Sequence, residues 1–112
     1  MQFAIVRRDL QQTLEWPTGA IISQACHACV FAIWMAKDDP VVQEYVCDTM
    51  HKVIKEVRGE KELLALSNRL SKENILHKLW VEQPENIPTC LATVPARKST
   101  LYPLFRKLKL YK

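Results

Sequence analysis

An alternation of strand patterns with helix patterns is the feature of this sequence that most restricts its fold. Strand patterns cover residues 2–8, 51–57, 75–82 and 89–94, and helix patterns cover residues 19–37, 40–49, 60–72 and 99–108. Parallel strands that are joined by helical crossovers should connect with a right-handed sense. The order βα(α)βαββα therefore predicts a single α/β domain, a four-stranded mixed β-sheet with α-helices packed on both faces.

Length and apolar content fit one domain with a sizeable core. The chain has 112 residues, of which 48% are hydrophobic, and a chain of this size buries about two-thirds of its surface on folding. Its longest apolar run, from Ala28 to Ala36, is much shorter than the ~20 residues that cross a bilayer. The apolar segment before Arg7 is too short for a signal peptide. We therefore expect no membrane span and a cytoplasmic location.

Capping signals predict where the first helices begin. From Gly19 to about Lys37, small and apolar residues lie on almost every side of a predicted helix. This distribution predicts that the helix is largely buried, and Thr18 is its predicted N-cap. Asp39 followed by Pro40 predicts the start of the next helix. Residues 9–18 are predicted to form a loop. The last helix can accept Pro103 only in its first turn.

Positive charge is concentrated at the C-terminal end. The net charge is +4, and residues 97–112 carry six lysines and arginines without an acidic residue. The remaining chain is slightly acidic. Such a segment either attracts a polyanion, because phosphate neutralisation releases counterions, or is an ordinary solvated helix.

Three polar residues, Ser23, Gln24 and His27, interrupt the apolar helix. A 3.6-residue period places Gln24 and His27 on one face, together with Ala20 and Phe31. The opposite stripe is apolar and is predicted to face the sheet; it consists of Ile22, Cys26, Cys29 and Ile33. A histidine in such a helix is either a hydrogen-bonded core residue or part of a site.

Three segments of the chain resemble the type II peptidyl-tRNA hydrolase family in matching order. They are VRRDL at residues 6–10, GAIISQACHA at 19–28 and LKLY at 108–111. Trp16-Pro17, LWVEQPENI at 79–87 and TC at 89–90 are closer to the subgroup called peptidyl-tRNA hydrolase domain-containing proteins. The resemblance implies that residues 1–112 form a domain that cleaves the ester joining a peptide to the terminal ribose of tRNA. It implies peptidyl-tRNA as the partner and no metal or other cofactor.

The sequence also departs from the family's pattern. Ala20 and Glu56 stand where the family usually carries lysines, and the family's loop with an aspartate and a threonine is shortened to residues 83–88. Asp9, Gln24 and His27 remain. The leading hypothesis is an esterase. The alternatives are a catalytically lapsed member that binds tRNA or a protein partner, and a purely structural or interaction domain.

Ester hydrolysis requires a positioned water, a base and donors for the oxyanion. An imidazole changes charge near neutral pH, so His27 is predicted to be the base. We expect Gln24 to face the ester beside it and Asp9 to orient a neighbouring group. Contacts with substrate are predicted for five further residues: Arg7 and Arg8, Gly19 at the open helix N-terminus, and Lys107 and Lys109 in the basic end. Oligomeric state stays open, with a homodimer as one arrangement.

The cysteines, the histidines and the aromatic residues give weaker indications of function. Cys26 and Cys29 have the C-x-x-C spacing of a redox pair, but a mid-helix position on the predicted core stripe disfavours reactivity. A zinc site would need a second ligand pair that the sequence lacks. Aromatic residues could stack on nucleobases, but we expect them in the core; they are Phe31, Trp34, Trp80 and Phe105.

Overall fold

The computed structural model describes residues 1–112 as one α/β arrangement. The elements in chain order are β1 (Gln2–Arg7), α1 (Asp9–Gln12), α2 (Thr18–Met35), α3 (Pro40–Cys47), β2 (Lys52–Val57), α4 (Glu60–Lys72), β3 (His77–Glu82), β4 (Ile87–Thr93) and α5 (Lys98–Phe105). The strands form a single sheet in the order β2-β1-β4-β3. The predicted fold class is confirmed.

Strand directions bring four chain positions to one edge of the sheet. β1 pairs in parallel with β2 and antiparallel with β4, and β3 pairs antiparallel with β4. β3 therefore runs in the same direction as β1 and β2. The carboxyl ends of these three strands, at Arg7, Val57 and Glu82, lie at the same edge as Ile87, where β4 begins. Open α/β sheets bind ligands at this kind of edge.

Alternating residues of β1 divide the core between the two faces of the sheet. Ala4 and Val6 belong to a buried cluster that includes residues of α2 and α3. Phe3 and Ile5 belong to a second cluster with residues of α4 and α5. Since successive side chains of a strand point to opposite faces, one central strand supports both helical layers. The predicted placement of helices on both faces is confirmed.

The prediction that α2 is buried on nearly all sides is wrong. Ile22 is 59% exposed, Cys26 is exposed, and only Cys29 of the predicted core stripe is fully buried. The buried face is instead formed by Ile21, Gln24, Ala28, Cys29 and Ala32. Alanine side chains let a helix approach a sheet closely, so the small residues face inward. The inward face is therefore turned by about one residue, or about 100°, from the predicted one.

The start of α2 and the segment before it also differ from the predictions. Residues 9–12 form the short helix α1 instead of a loop, and its Leu10 side chain is fully buried. Burial of this leucine accounts for an ordered turn where the sequence carries turn signals. Pro17, not Thr18, is the N-cap of α2, and it provides no side-chain cap.

The start of α3 and the end of α5 depend on capping and on proline. The side chain of Asp39 accepts a hydrogen bond from the Val41 N–H at 2.9 Å, and Pro40 opens α3, as predicted. Pro103 lies in the second turn of α5 rather than in its first turn. Because proline has no N–H to donate, the helix loses one hydrogen bond there, and it ends soon afterwards at Phe105 instead of Leu108.

The C-terminal segment runs along the outer edge of β2. Leu110 forms an antiparallel bridge with Lys55, and the Tyr111 N–H donates to the Ile54 carbonyl at 3.0 Å. The Glu56 N–H donates to the Lys109 carbonyl at 2.9 Å. The basic end of the chain is thus held beside the carboxyl end of β2.

Helix α2 is long and apolar enough to count as a candidate membrane span by length and composition. It has 18 residues and a mean hydropathy of 1.4, and 28% of it is buried against the domain. Core helices of soluble domains pass the same test, so the expectation that no segment spans a membrane stays a prediction.

Candidate functional site

Helix α2 places Gln24 against the ends of β3 and β4. Its amide nitrogen donates to Oε2 of Glu82 at 3.0 Å and to the Ala20 carbonyl at 3.3 Å. Its amide oxygen accepts a hydrogen bond from the Thr89 hydroxyl at 2.9 Å. Gln24 is only 2% exposed. Both the nitrogen and the oxygen of the amide are therefore hydrogen-bonded within the protein, and the nitrogen holds the Glu82 carboxylate in place.

Glu82 is the member of this group that the sequence analysis missed. Besides the bond from Gln24, its Oε1 accepts a hydrogen bond from the Trp80 indole N–H at 3.2 Å. These two bonds, together with the nearby His27, lower the pKa of Glu82 below its ordinary value. The carboxylate is therefore ionised at neutral pH. The available signal was the alternation in β3, which puts residues 80 and 82 on the same face.

The imidazole of His27 lies on the outer surface of α2 and is connected to this carboxylate through Trp80. It stacks on the Trp80 ring with 4.8 Å between ring centroids and an interplanar angle of 27°. His27 is exposed, and neither ring nitrogen makes a hydrogen bond to the protein. Both nitrogens are therefore open to water or to a ligand.

Asp9 is paired with Arg7. The guanidinium donates two hydrogen bonds to the carboxylate, each at 2.9 Å, and a third to the Pro88 carbonyl at 2.8 Å. The Arg7 side chain is 7% exposed and that of Asp9 is 27% exposed. A Cβ at position 59 would approach the Asp9 carboxylate to 3.1 Å, so Gly59 leaves room for this pair. The pair joins β1, α1 and the start of β4.

Basic side chains gather around the carboxyl end of β2. The Arg8 guanidinium lies 3.6 Å from the Glu56 carboxylate and 4.5 Å from the centre of the Tyr111 ring. Lys107 and Lys109 are exposed and lie beside Glu56. Glu56 thus sits among cations, which leave a positive surface at the same edge of the sheet as Glu82.

Gly19 lies in the first turn of α2, in open surroundings. A Cβ at this position would meet no atom within 4 Å. The structure therefore gives no steric reason for glycine here. The next residue, Ala20, contributes its carbonyl to the Gln24 amide.

The cysteines do not form a reactive pair. All four are free, and burial raises the pKa of the Cys29 thiol to about 11. Redox-active cysteines need a lowered pKa, and the raised pKa of Cys29 is the opposite of this property. No three histidine, cysteine, aspartate or glutamate side chains are grouped so that they could hold a metal ion.

Comparison with known proteins gives matches over the whole chain. Residues 1–111 match the family described as Peptidyl-tRNA hydrolase PTH2. The chain is 40% identical over 115 residues to the Mus musculus protein named "Putative peptidyl-tRNA hydrolase PTRHD1", covering 100% of this chain and 82% of the mouse protein. The Homo sapiens protein of the same name is 39% identical with the same coverage. The matched region includes every element of the edge described above.

Proposed function

Because the chain belongs to the peptidyl-tRNA hydrolase PTH2 family, we propose that it hydrolyses the ester between a peptide and the terminal ribose of tRNA. These matches confirm the family resemblance that the sequence indicates, and the PTRHD1 relatives confirm the resemblance to the domain-containing subgroup. The observation that carries the proposal is the exposed imidazole of His27, stacked on Trp80, whose indole N–H donates to the fixed carboxylate of Glu82.

In this proposal His27 is the general base. A neutral imidazole nitrogen takes a proton from a water molecule, and the water oxygen bonds to the ester carbonyl carbon. The bond between that carbon and the ribose oxygen then breaks, and the imidazolium returns the proton to the ribose oxygen. The products are a free peptide carboxyl group and tRNA with a free hydroxyl. A positioned base of this kind contributes about 10²- to 10⁴-fold to the rate.

Glu82 supports this proton transfer electrostatically. A carboxylate close to the imidazole stabilises the positive charge that forms when His27 takes the proton. Gln24 acts through Glu82 as a positioning residue, since its amide is bonded to that carboxylate. Asp9 acts further away, by holding the buried Arg7 guanidinium at the end of β1.

Substrate contacts at this edge follow from exposure and charge. The exposed Lys107 and Lys109 offer cations to tRNA phosphates, and the half-buried Arg8, which is paired with Glu56, adds positive charge beside them. Open space around Gly19 leaves the first turn of α2 accessible to a part of the substrate other than the ester, since eight residues of helix separate it from His27 by about 12 Å. Arg7 contributes by shaping the edge, because its guanidinium is already paired.

Turnover of labelled peptidyl-tRNA tests the proposal. We expect His27→Ala to lower kcat about 100-fold or more while tRNA binding is retained. Ser23→Ala is the matched control, since this exposed residue lies on the same helix.

Three results would contradict the proposal. Full activity of His27→Ala would remove His27 from the mechanism. Salt-sensitive tRNA binding by the parent protein without cleavage would indicate a binding module. Absence of both would indicate a structural or interaction domain.

A further inference from the structure

The aromatic side chains of this chain do not share one environment. Phe105 is fully buried, and Trp80 is half-buried. Phe31 is 44% exposed and Trp34 is 67% exposed, so the expectation that these two residues belong to the core is wrong. Large exposed aromatic surface costs free energy in water, and contiguous patches of it commonly mark binding sites.

Three of these rings form a line that begins at the candidate base. His27 stacks on Trp80, and Phe31 meets the Trp80 ring edge-on with 6.3 Å between centroids. Trp34 follows one helical turn later and lines the same groove, which has a volume of about 390 Å³. We name Trp80, Phe31 and Trp34 the aromatic strip.

Two lysines lie over the exposed rings of this strip. The Lys78 ammonium lies 4.2 Å from the centre of the Phe31 ring, and the Lys37 ammonium lies 4.4 Å from the centre of the Trp34 ring. Aromatic rings interleaved with cations are typical of surfaces that bind single-stranded nucleic acid, where bases stack on the rings and cations meet phosphates. Asp38 follows Lys37 in the chain, so the positive charge at that end of the strip is partly offset.

We propose that the aromatic strip binds the unpaired nucleotides at the 3′ end of the tRNA, with bases stacked on Phe31 and Trp34 and phosphates near Lys37 and Lys78. This inference rests on the proposed function and adds the subsite that leads to the ester. From residue 27 to residue 34 the helix rises about 10 Å, the length of about three stacked nucleotides. A base stacked at the His27 end therefore belongs to the nucleotide that carries the ester.

Charge and ring exposure favour unpaired RNA over the other occupants of such a surface. Both ammonium groups gain a counter-charge from a polyanion, whereas an uncharged peptide would give them none. Paired bases cover their faces within the duplex, so only unpaired nucleotides can stack on exposed rings.

The binding of a labelled single-stranded RNA pentanucleotide, measured by fluorescence anisotropy, tests the subsite. This probe carries no ester, so the measurement is independent of hydrolysis. We expect Trp34→Ala and Phe31→Ala each to weaken binding about 5- to 140-fold, from the loss of one stacked base. Tyr102→Ala is the matched control, because Tyr102 is 45% exposed on α5 and also has a lysine, Lys98, over its ring.

A lysine variant tests the phosphate contacts separately. We expect Lys37→Gln combined with Lys78→Gln to reduce the slope of log K against log salt by about 1.4, the contribution of two phosphates on a single strand. A duplex RNA of the same length should bind more weakly than the single strand, and Trp34→Ala should not change its affinity.

Four outcomes would overturn the subsite. The first two are an RNA affinity of Trp34→Ala and Phe31→Ala that equals the parent's, and an equal loss of RNA affinity in the control Tyr102→Ala. The third is a loss of affinity that occurs only with an uncharged apolar peptide used as a second probe. The fourth is self-association of the parent protein that Trp34→Ala abolishes. Failure of the proposed function is distinguishable, because a parent that binds the pentanucleotide through the strip without cleaving peptidyl-tRNA leaves the subsite intact.

Discussion

The Gln24 amide nitrogen lies 3.0 Å from Oε2 of Glu82 and joins α2 to the end of β3. The same amide accepts a hydrogen bond from Thr89 at the start of β4. One buried side chain thus ties a helix to two strands and determines where the carboxylate beside His27 sits. The geometry of the site depends on this contact more than on any local sequence pattern.

Removal of the Gln24 amide should destabilise the protein. We expect Gln24→Ala to lower the free energy of unfolding by about 2 kcal/mol, because the Thr89 hydroxyl and the Glu82 carboxylate each lose a partner. Urea denaturation measures the change. Ser23→Ala, on the exposed side of the same helix, should change stability by less than about 0.5 kcal/mol. Equal midpoints for the two variants would contradict the structural role of Gln24.

Glu82 should contribute to the pH dependence of stability. The pKa of Glu82 is lowered in the folded state, first by the hydrogen bond from Gln24. The carboxylate therefore stabilises the fold above the ordinary glutamate pKa of about 4.3, and this contribution disappears as pH falls through the lowered value. We expect Glu82→Gln to flatten the fall in unfolding free energy below about pH 4.5. Glu85→Gln, in the exposed loop after β3, should leave the parent curve unchanged.

The Arg7 and Asp9 pair should matter for stability at neutral pH. We expect Asp9→Asn to cost about 2 kcal/mol, because the buried guanidinium loses its counter-charge and one hydrogen bond, while the amide oxygen and the Pro88 carbonyl remain as acceptors. Thermal or urea unfolding would measure the loss, and Asp38→Asn is a control at an exposed aspartate. A parent-like stability of Asp9→Asn would show that Arg7 does not depend on this carboxylate.

The four cysteines should separate into two reactivity classes. Burial raises the pKa of the Cys29 thiol to about 11 and that of the Cys90 thiol to about 12. At pH 8 only about one Cys29 thiol in a thousand is ionised, and the thiolate is the reacting form. We expect iodoacetamide to label the exposed Cys26 and Cys47 rapidly in the native protein and the other two only after unfolding. Mass spectrometry of the digested protein distinguishes these outcomes, and rapid native labelling of Cys29 would contradict them.

Local patterns in the sequence determined most of the architecture. The leucine spacing of residues 60–72 predicts α4 with the observed bounds, and Asp39 with Pro40 predicts the start of α3. The order of strands and helices predicts the mixed sheet. These predictions succeed because helix periodicity, caps and crossovers depend on residues that are close together in the chain.

The orientation of α2 was decided by the tertiary structure. Its apolar residues lie on nearly every side, so periodicity cannot select one face, and packing of the alanines against the sheet makes the selection. That choice buries Gln24, exposes His27 and leaves Phe31 and Trp34 in solvent.

The candidate site also consists of residues that the sequence predicts and residues that only the tertiary structure brings to it. Gln24, His27 and Asp9 can be named from the sequence. Glu82 stands 58 positions from Gln24, and the alternation in β3 that places it on the same face as Trp80 does not show that Gln24 binds it. Charge counting locates the basic end of the chain, whereas its position beside Glu56 comes from pairing with the edge of β2. The sequence by itself determined the elements and the residue types. The folded chain decided their neighbours, because contacts between distant residues form only when the helices pack on the sheet.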